Sequence, residues 1–213
     1  MARKTIVYID GFNLYYGCLK GTPHKWLDLQ AFCSLLLAPQ YHDIIEIKYF
    51  TAPVSARPDD PKQPQRQQLY LRALGTTPIV QTFMGHFLVQ RVRLPLVSPP
   101  ASGPRTVEVL KAEEKGSDVN LATHLLCDAY EQRFEAAVVV SNDSDLVEPI
   151  SVVRHRLGLV VGVLNPHPEK PAVQLAATAT FMKPIRKGAA KHAQFPRFLT
   201  DSNGRFERPG DWY

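Results

Sequence analysis

Apolar and polar positions along the chain follow two periods, one typical of buried strands and one typical of amphipathic helices. Short apolar or partly alternating runs predict strands, whereas apolar residues spaced three and four apart predict helices. The predicted strands are 4–9, 44–51, 79–83, 136–140 and 157–164, and the predicted helices are 27–37, 65–74, 119–130 and 146–156, with another helix after Asp10. Strands alternating with helices predict a three-layer α/β/α sandwich around a mainly parallel sheet.

Two segments depart from this alternation. Residues 53–104 contain proline-rich stretches on both sides of a partly alternating segment at 86–97, which predicts a hairpin-like insertion. Residues 186–213 are rich in Arg, Lys, Pro and Gly and have weak periodicity. They predict a basic, aromatic-containing tail that is extended or partly disordered. We therefore expect one α/β domain over residues 1–185, with the insertion inside it, followed by the tail.

Composition places the chain among ordinary globular proteins and removes several classes. With 45% apolar and 21% charged residues, the chain is neither disordered nor collagenous. No window approaches the ~18 apolar residues of a transmembrane helix. The apolar run before Asp10 is too short for a signal peptide, so we expect a cytoplasmic protein that binds no membrane.

Cysteine, histidine and glycine patterns exclude other kinds of site. The three cysteines are widely spaced and form neither a disulfide framework nor a CxxC site. The seven histidines show no zinc-ligand spacing. The chain also has no Walker loop and no GxGxxG motif, which removes the common nucleotide-binding interpretations.

The net charge of +5 conceals an uneven distribution. Residues 112–150 hold nine acidic and two basic residues, although the whole chain has 25 basic and 20 acidic ones. The segments on both sides, 54–111 and 151–185, are basic. An acidic region between basic regions suits a protein that holds divalent cations and attracts a polyanion over them.

Three acidic motifs lie at the ends of predicted elements. Asp10 follows the first strand, Asp118 begins a helix, and Asp143 and Asp145 follow the strand at 136–140. Loops leave parallel strands at one edge of the sheet, so these carboxylates should converge there, where Mg²⁺ or Mn²⁺ would relieve their repulsion. Turn formation at Asp10 and helix capping at the other three are open alternatives. Asp128 lies ~15 Å further along the same helix as Asp118 and is left out.

The motifs YIDGFNLYYG, EEKGSDVNLATHLLCDAY and VVVSNDSDLVEPI, in this order, resemble the signature motifs of the NYN domain family. This family is a branch of the PIN-like nuclease superfamily and includes the LabA-like proteins. The resemblance covers about residues 4–165 and implies a PIN-like fold and Mg²⁺- or Mn²⁺-dependent cleavage of RNA. It implies catalytic and metal-binding roles for Asp10, Asp118, Asp143 and Asp145, with Asn13 as the accompanying polar residue. The chain departs from the family pattern at Asn142 and Leu146, where many members have glycine and phenylalanine, and in its insertion; neither departure removes an acidic residue.

The implied mechanism is hydrolysis by metal-activated water. One or two bound ions would lower the pKa of a water, align it with the phosphorus and stabilise the leaving 3′ oxygen. The resemblance implies 5′-phosphate and 3′-hydroxyl products. Asn13 and Ser141 would orient a carboxylate or metal-bound water, although a simple turn role for Asn13 is equally open. A non-catalytic RNA-binding module is the main alternative. A haloacid dehalogenase-type phosphatase is disfavoured because the Asp-Ser-Asp motif comes late in the chain.

Basic residues outside the acidic region are candidates for contacts with RNA phosphates. They are Lys115 beside the acidic motifs, Arg91 and Arg93 on the hairpin, and Arg154 and Arg156 after the last acidic motif. The tail adds Arg186, Lys187, Lys191, Arg197, Arg205 and Arg208, interleaved with Phe195, Phe198, Phe206, Trp212 and Tyr213. These aromatics would stack on single-stranded RNA or dock the tail onto its own domain or a second subunit. Docking is favoured, and a homo-oligomer is left open.

Overall fold

The computed structural model describes residues 1–186 and 188–212, apart from the side chain of Ala112. Lys187 and Tyr213, both candidates for RNA contacts in the tail, lie outside the described residues. The strands are β1 (Arg3–Asp10), β2 (His42–Thr51), β3 (Val80–Met84), β4 (His86–Pro95), β5 (Thr106–Lys115), β6 (Ala136–Val140), β7 (Val160–Asn165), β8 (Phe181–Pro184), β9 (Phe198–Asp201) and β10 (Gly204–Glu207). The α-helices are α1 (Gly11–Leu14), α2 (Leu29–Leu36), α3 (Gln63–Leu74), α4 (Ser117–Tyr130), α5 (Val147–Ser151) and α6 (Val173–Thr178).

The central sheet has six parallel strands in the order β3-β2-β1-β6-β7-β8. The strands β1 and β6 lie in the middle, and the apolar runs that predicted them are buried from Ile6 to Ile9 and from Ala136 to Val140. The chain passes from β1 to β2, which lies on one side of β1, whereas β6 lies on the other side of β1. The strand order therefore reverses between β1 and β6, the position at which open α/β sheets form ligand sites.

Helices cover both faces of this sheet, which confirms the predicted α/β/α sandwich. Successive residues of β1 point to opposite faces, so Val7 and Ile9 enter one core while Ile6 and Tyr8 enter the other. The first core includes residues of α2, α3 and the tail, and the second is closed by α4, α5 and α6. Within the described residues, no helix is both long and apolar enough to span a membrane.

The insertion contains a long antiparallel hairpin that stands over one edge of the sheet. β4 pairs with β5 from His86 opposite Lys115 to Pro95 opposite Thr106. A hairpin is therefore present, but the segment predicted to form it supplies only its first strand, and the second strand lies wholly beyond the predicted boundary at 104. β5 (TVEVLKAEEK) was missed because Glu, Lys and Ala are poor strand formers that here depend on a cross-strand partner.

The tail is folded onto the domain, so the expectation of an extended or partly disordered tail is wrong. β9 and β10 form a hairpin, and a 3₁₀ turn covers Gly210–Trp212. The buried Trp26 ring contacts the rings of Phe195, Phe206 and Trp212 at centroid distances of 5.9 to 6.4 Å. Its indole Nε1 donates to the Pro196 carbonyl at 2.9 Å. The favoured alternative, docking onto the same domain, is confirmed because burial of large aromatic surface outweighs weak local periodicity.

Two further parts of the chain differ from the predictions. The predicted helix at 146–156 divides into a 3₁₀ turn, α5 and a π-helical turn over Val152–Arg156. The sheet also gains the edge strand β8, which pairs with β7 and follows the short α6. Neither element has a strong periodic signal, and both depend on contact with the sheet.

Candidate active site

Asp10 ends β1 at the point where the strand order reverses. Only 3% of its surface is exposed. Its Oδ1 accepts a hydrogen bond from the Asn13 backbone N–H at 2.9 Å, and its Oδ2 accepts one from Ser141 Oγ at 3.0 Å. Desolvation raises the pKa of Asp10, the bonds from Asn13 and Ser141 lower it, and the charge of Asp143 raises it. Asp10 therefore caps α1 and also presents a fixed carboxylate at the sheet edge.

Asn13 and Ser141 join the loops that follow β1 and β6. The Asn13 side-chain oxygen accepts from the Asn142 backbone N–H at 3.0 Å. Ser141 is fully buried, and its Oγ accepts from the Asp143 backbone N–H at 3.1 Å while donating to Asp10. Both side chains thus make the contacts that an orienting role requires, since each restricts how Asp10 and Asp143 can move relative to one another.

The backbone beside Asp10 is tightly packed at Gly11. A Cβ atom there would lie 2.7 Å from both the Phe50 carbonyl oxygen and the Tyr49 hydroxyl. Glycine is therefore required for α1 to start beneath the Tyr49 ring. The buried Tyr49 hydroxyl lies at the edge of the site, where desolvation and then the charge of Asp10 raise its pKa.

Asp118 lies in the first turn of α4 without capping that helix. The N-cap is Gly116, whose backbone is left-handed at φ 95° and provides no side-chain bond. The pKa of Asp118 is raised to about 7. Burial is the largest cause, and the charges of four neighbouring carboxylates raise the pKa further: Asp10, Asp143, Glu114 and Asp145. These charges act on Asp118 because the fold brings their carboxylates to the same edge of the sheet.

Asp143 and Asp145 occupy different positions despite their close spacing. Asp143 is half-buried and caps the turn Ser144–Leu146, because its Oδ1 accepts from the Asp145 backbone N–H at 3.0 Å. Asp143 lines a cavity together with Asp10 and Asp118, whereas Asp145 is exposed and does not line it. The capping alternative therefore holds for Asp143, and Asp145 lies outside the cavity.

The donor chemistry of this cluster fits a hard divalent cation. Carboxylate oxygens are the ligands that Mg²⁺ and Mn²⁺ prefer. Burial is the main cause of the raised pKa of Asp118, and the repulsion from neighbouring carboxylates that adds to it is one that a cation would relieve. In the part of the chain that the structure describes, no three His, Cys, Asp or Glu side chains are grouped closely enough to hold a metal ion. Metal binding would therefore have to draw these carboxylates closer together.

The cavity has a volume of about 650 Å³ and extends from the carboxylates between α1, the insertion and the tail. Aromatic side chains form much of its wall. Of these, only Trp212 was singled out from the sequence, as a tail aromatic; Phe12, Tyr15 and Tyr16 were missed, although they follow Asp10 in the motif DGFNLYY, which was the available signal. Phe87 of the hairpin and Trp212 of the tail also line the cavity and have no such local signal.

The basic residues predicted to contact RNA are divided between two edges of the sheet. Arg91 and Arg93 project from the hairpin with 79% and 76% of their side chains exposed, each 4.0 Å from Glu108. They share a hairpin face with Phe87, which lines the cavity. Lys115 lies at the base of the hairpin, with its Nζ 3.1 Å from Glu113.

Arg154 and Arg156 lie in the turn that precedes β7, at the opposite edge of the parallel sheet from the carboxylates. The Arg154 guanidinium donates to the carbonyls of Thr178 and Ala179 at 2.5 and 3.0 Å. Arg154 therefore caps the end of α6, which corrects its prediction as a phosphate contact. Arg156 is exposed at the same edge, so it does not contact a phosphate held at the carboxylates.

Comparison with known proteins relates most of the chain to one family. The model of the NYN domain matches residues 4–184. The chain is 32% identical over 237 residues to the 6-hydroxy-3-succinoylpyridine 3-monooxygenase HspA of Pseudomonas putida, an alignment that covers 99% of this chain and 75% of that protein. It also resembles a solved structure from Vibrio parahaemolyticus, a protein of unknown function, with a TM-score of 0.53 and 17% identity over 87% of this chain and 94% of that one. This last likeness shows the fold alone.

Proposed function

The chain belongs to the NYN domain family, whose fold is nuclease-like, and from this premise we propose that it is a metal-dependent ribonuclease. It would hydrolyse RNA phosphodiester bonds, as an endonuclease, with Mg²⁺ or Mn²⁺. One observation carries the proposal: Asp10, Asp118 and Asp143 meet in one cavity where the strand order reverses. A protein that only bound RNA would gain nothing from carboxylates facing phosphates.

In this proposal, some residues of the chain would hold the metal and others would position the RNA. Asp10, Asp118 and Asp143 would hold the metal, with Asp145 available from the rim. When bound there, the ion would supply an activated water and would neutralise charge on the phosphate. Ser141 and Asn13 keep Asp10 in one orientation through the two bonds that its oxygens accept. Because the carboxylates lie at one end of the cavity, the substrate would extend from them along its walls.

The name of one relative and the aromatic wall together support a second candidate function, hydroxylation of a small heteroaromatic compound. The HspA protein is named as acting on a substituted pyridine, and the aromatic cavity of this chain is within the usual size range for small-molecule sites. The ribonuclease takes first place because the heteroaromatic substrate gives no role to the converging carboxylates. A non-catalytic RNA-binding module is the third candidate.

The ribonuclease is tested by incubating a 5′-labelled structured RNA and its DNA equivalent in Mg²⁺, Mn²⁺ or EDTA. We expect metal-dependent cleavage of RNA that is lost in EDTA and in Asp143→Asn. The matched control is Asp59→Asn, which neutralises an exposed carboxylate outside the cavity lining and should retain activity. Intact RNA in every metal, with binding retained, would refute the enzyme and favour the binding module. Consumption of a hydroxypyridine with O₂ and a reductant, in place of RNA cleavage, would favour the hydroxylase.

A further inference from the structure

The cavity is lined by aromatic side chains as well as by carboxylates. Phe12 of α1 and Phe87 of β4 meet edge to face with ring centroids 5.7 Å apart and an interplanar angle of 88°. Tyr15 and Tyr16 form a second edge-to-face pair at 5.3 Å. Tyr16 is 49% exposed, so part of its ring is available to a ligand. A metal site alone has no need of these rings.

A buried polar atom in the same cavity has no partner. Gln63, at the start of α3, lines the cavity, and its Oε1 is buried without a hydrogen bond among the described residues. Gln67, one turn later, is satisfied: its Nε2 donates to the Ala52 carbonyl and its Oε1 accepts from the Val54 N–H, both at 2.8 Å. A buried acceptor without a donor is costly, so a rotation of the Gln63 side chain that turns Oε1 towards a ligand N–H in the cavity would be favourable.

Two cations of the cavity lining are also available. Lys25 and Arg57 line the cavity and make no ion pair among the residues that the structure describes. Arg66, which lines it too, is held by Asp60 and Asp211 at 2.5 and 2.6 Å. The cavity thus combines carboxylates at one end with aromatic rings, an unsatisfied acceptor and free cations. Nucleotides need this combination, since their rings stack, their edges donate and their phosphates carry charge.

We propose that this cavity is a nucleobase subsite, in which the base next to the scissile phosphate stacks on Phe12, Tyr16 and Phe87. An N–H of that base would be donated to Gln63 Oε1, and a neighbouring phosphate would meet Lys25 or Arg57. The proposal rests on the proposed ribonuclease function and specifies its substrate. A base can enter the cavity only when it is unpaired, so the preferred RNA is single-stranded at the cleavage position.

The test measures binding separately from cleavage. A short fluorescent single-stranded RNA is titrated in EDTA, by anisotropy, into the full chain and into Tyr16→Ala and Phe87→Ala. Base stacking on an aromatic ring supports an expected loss of affinity of about 5- to 100-fold in each variant. Tyr41→Ala is the matched control, because Tyr41 is 62% exposed and precedes β2 at the opposite sheet edge. Its affinity should equal that of the wild type. Gln63→Leu tests the polar contact.

Two substrate comparisons complete the experiment. A duplex of the same sequence should bind more weakly than the single strand. Single strands in which one base at a time is replaced by an abasic site should also bind more weakly, and the loss should be largest at one position. Equal binding of duplex and single strand, with no effect of Tyr16→Ala or Phe87→Ala, would overturn the subsite. Cleavage in Mg²⁺ in that same case would still support the ribonuclease. Absence of cleavage together with aromatic-dependent binding would support the subsite and refute the nuclease. Binding of a pyridine carboxylate but of no RNA would overturn the subsite.

Discussion

Neutralising Asp118 should stabilise the metal-free protein, in a manner that depends on pH. Asp118 is half-buried, and burial and the charges of Asp10 and Asp143 disfavour its ionised form. Asp118→Asn keeps the shape of the side chain and removes the charge. The substitution should therefore relieve the repulsion in this cluster without disturbing α4, whose N-cap is Gly116.

The size and sign of the effect follow from the pKa of Asp118. Folding raises that pKa from 3.8 to about 7. A pKa difference of one corresponds to about 1.4 kcal/mol, so this shift taken without any solvent screening would destabilise the ionised protein by about 4 kcal/mol. Solvent reaches part of the side chain, and screening reduces this to about 1–2 kcal/mol. The folded state binds more protons than the unfolded state between these pKa values, so the wild type loses this free energy as pH rises from about 4 to about 7.

The assay is urea unfolding of the wild type and Asp118→Asn in EDTA at several pH values from 4 to 8. The difference in free energy of unfolding should be near zero at pH 4 and reach about 1–2 kcal/mol in favour of the variant above pH 7. Asp59→Asn, which removes an exposed carboxylate, should show no such rise. Millimolar Mg²⁺ should then stabilise the wild type more than the variant. A difference that is constant from pH 4 to pH 8 would refute the argument.

Two further substitutions test the packing away from the site. Lys48 is 2% exposed and its Nζ lies 2.5 Å from the buried Asp128 carboxylate. Lys48→Met should lower the free energy of unfolding by about 1–3 kcal/mol in urea titrations, because Arg133 and the Tyr8 hydroxyl still bond the Asp128 carboxylate. No loss of stability would contradict this ion-pair argument. Trp26→Ala should cost about 3–5 kcal/mol and expose the tail to limited proteolysis before the sheet is cut. A tail that stays resistant would show that Trp26 does not hold it.

The sequence by itself determined five of the six strands of the central sheet and their alternation with helices along the chain. The buried run of β6 and the apolar residues of β1 carry local, periodic signals that need no knowledge of the partner strand. The same signals, with the rule that parallel strands end at one edge, predicted that Asp10 would converge with Asp143 and Asp145. Asp10 and Asp143 line one cavity, whereas Asp145 is exposed and lies outside it. Asp128 was left out of the predicted metal site because it lies too far from Asp118 along α4. It forms instead a buried network with Lys48 and the Tyr8 hydroxyl.

Only the tertiary structure decided the second hairpin strand, the docked tail and the role of Arg154. β5 depends on pairing with β4, the tail depends on Trp26, and the Arg154 side chain is engaged by carbonyls at the end of α6. The raised pKa of Asp118 and the contact between Phe12 and Phe87 arise in the same way. Each results from side chains that are far apart in sequence and meet only after folding, so burial, mutual charge and shared surface have no signature in the local pattern.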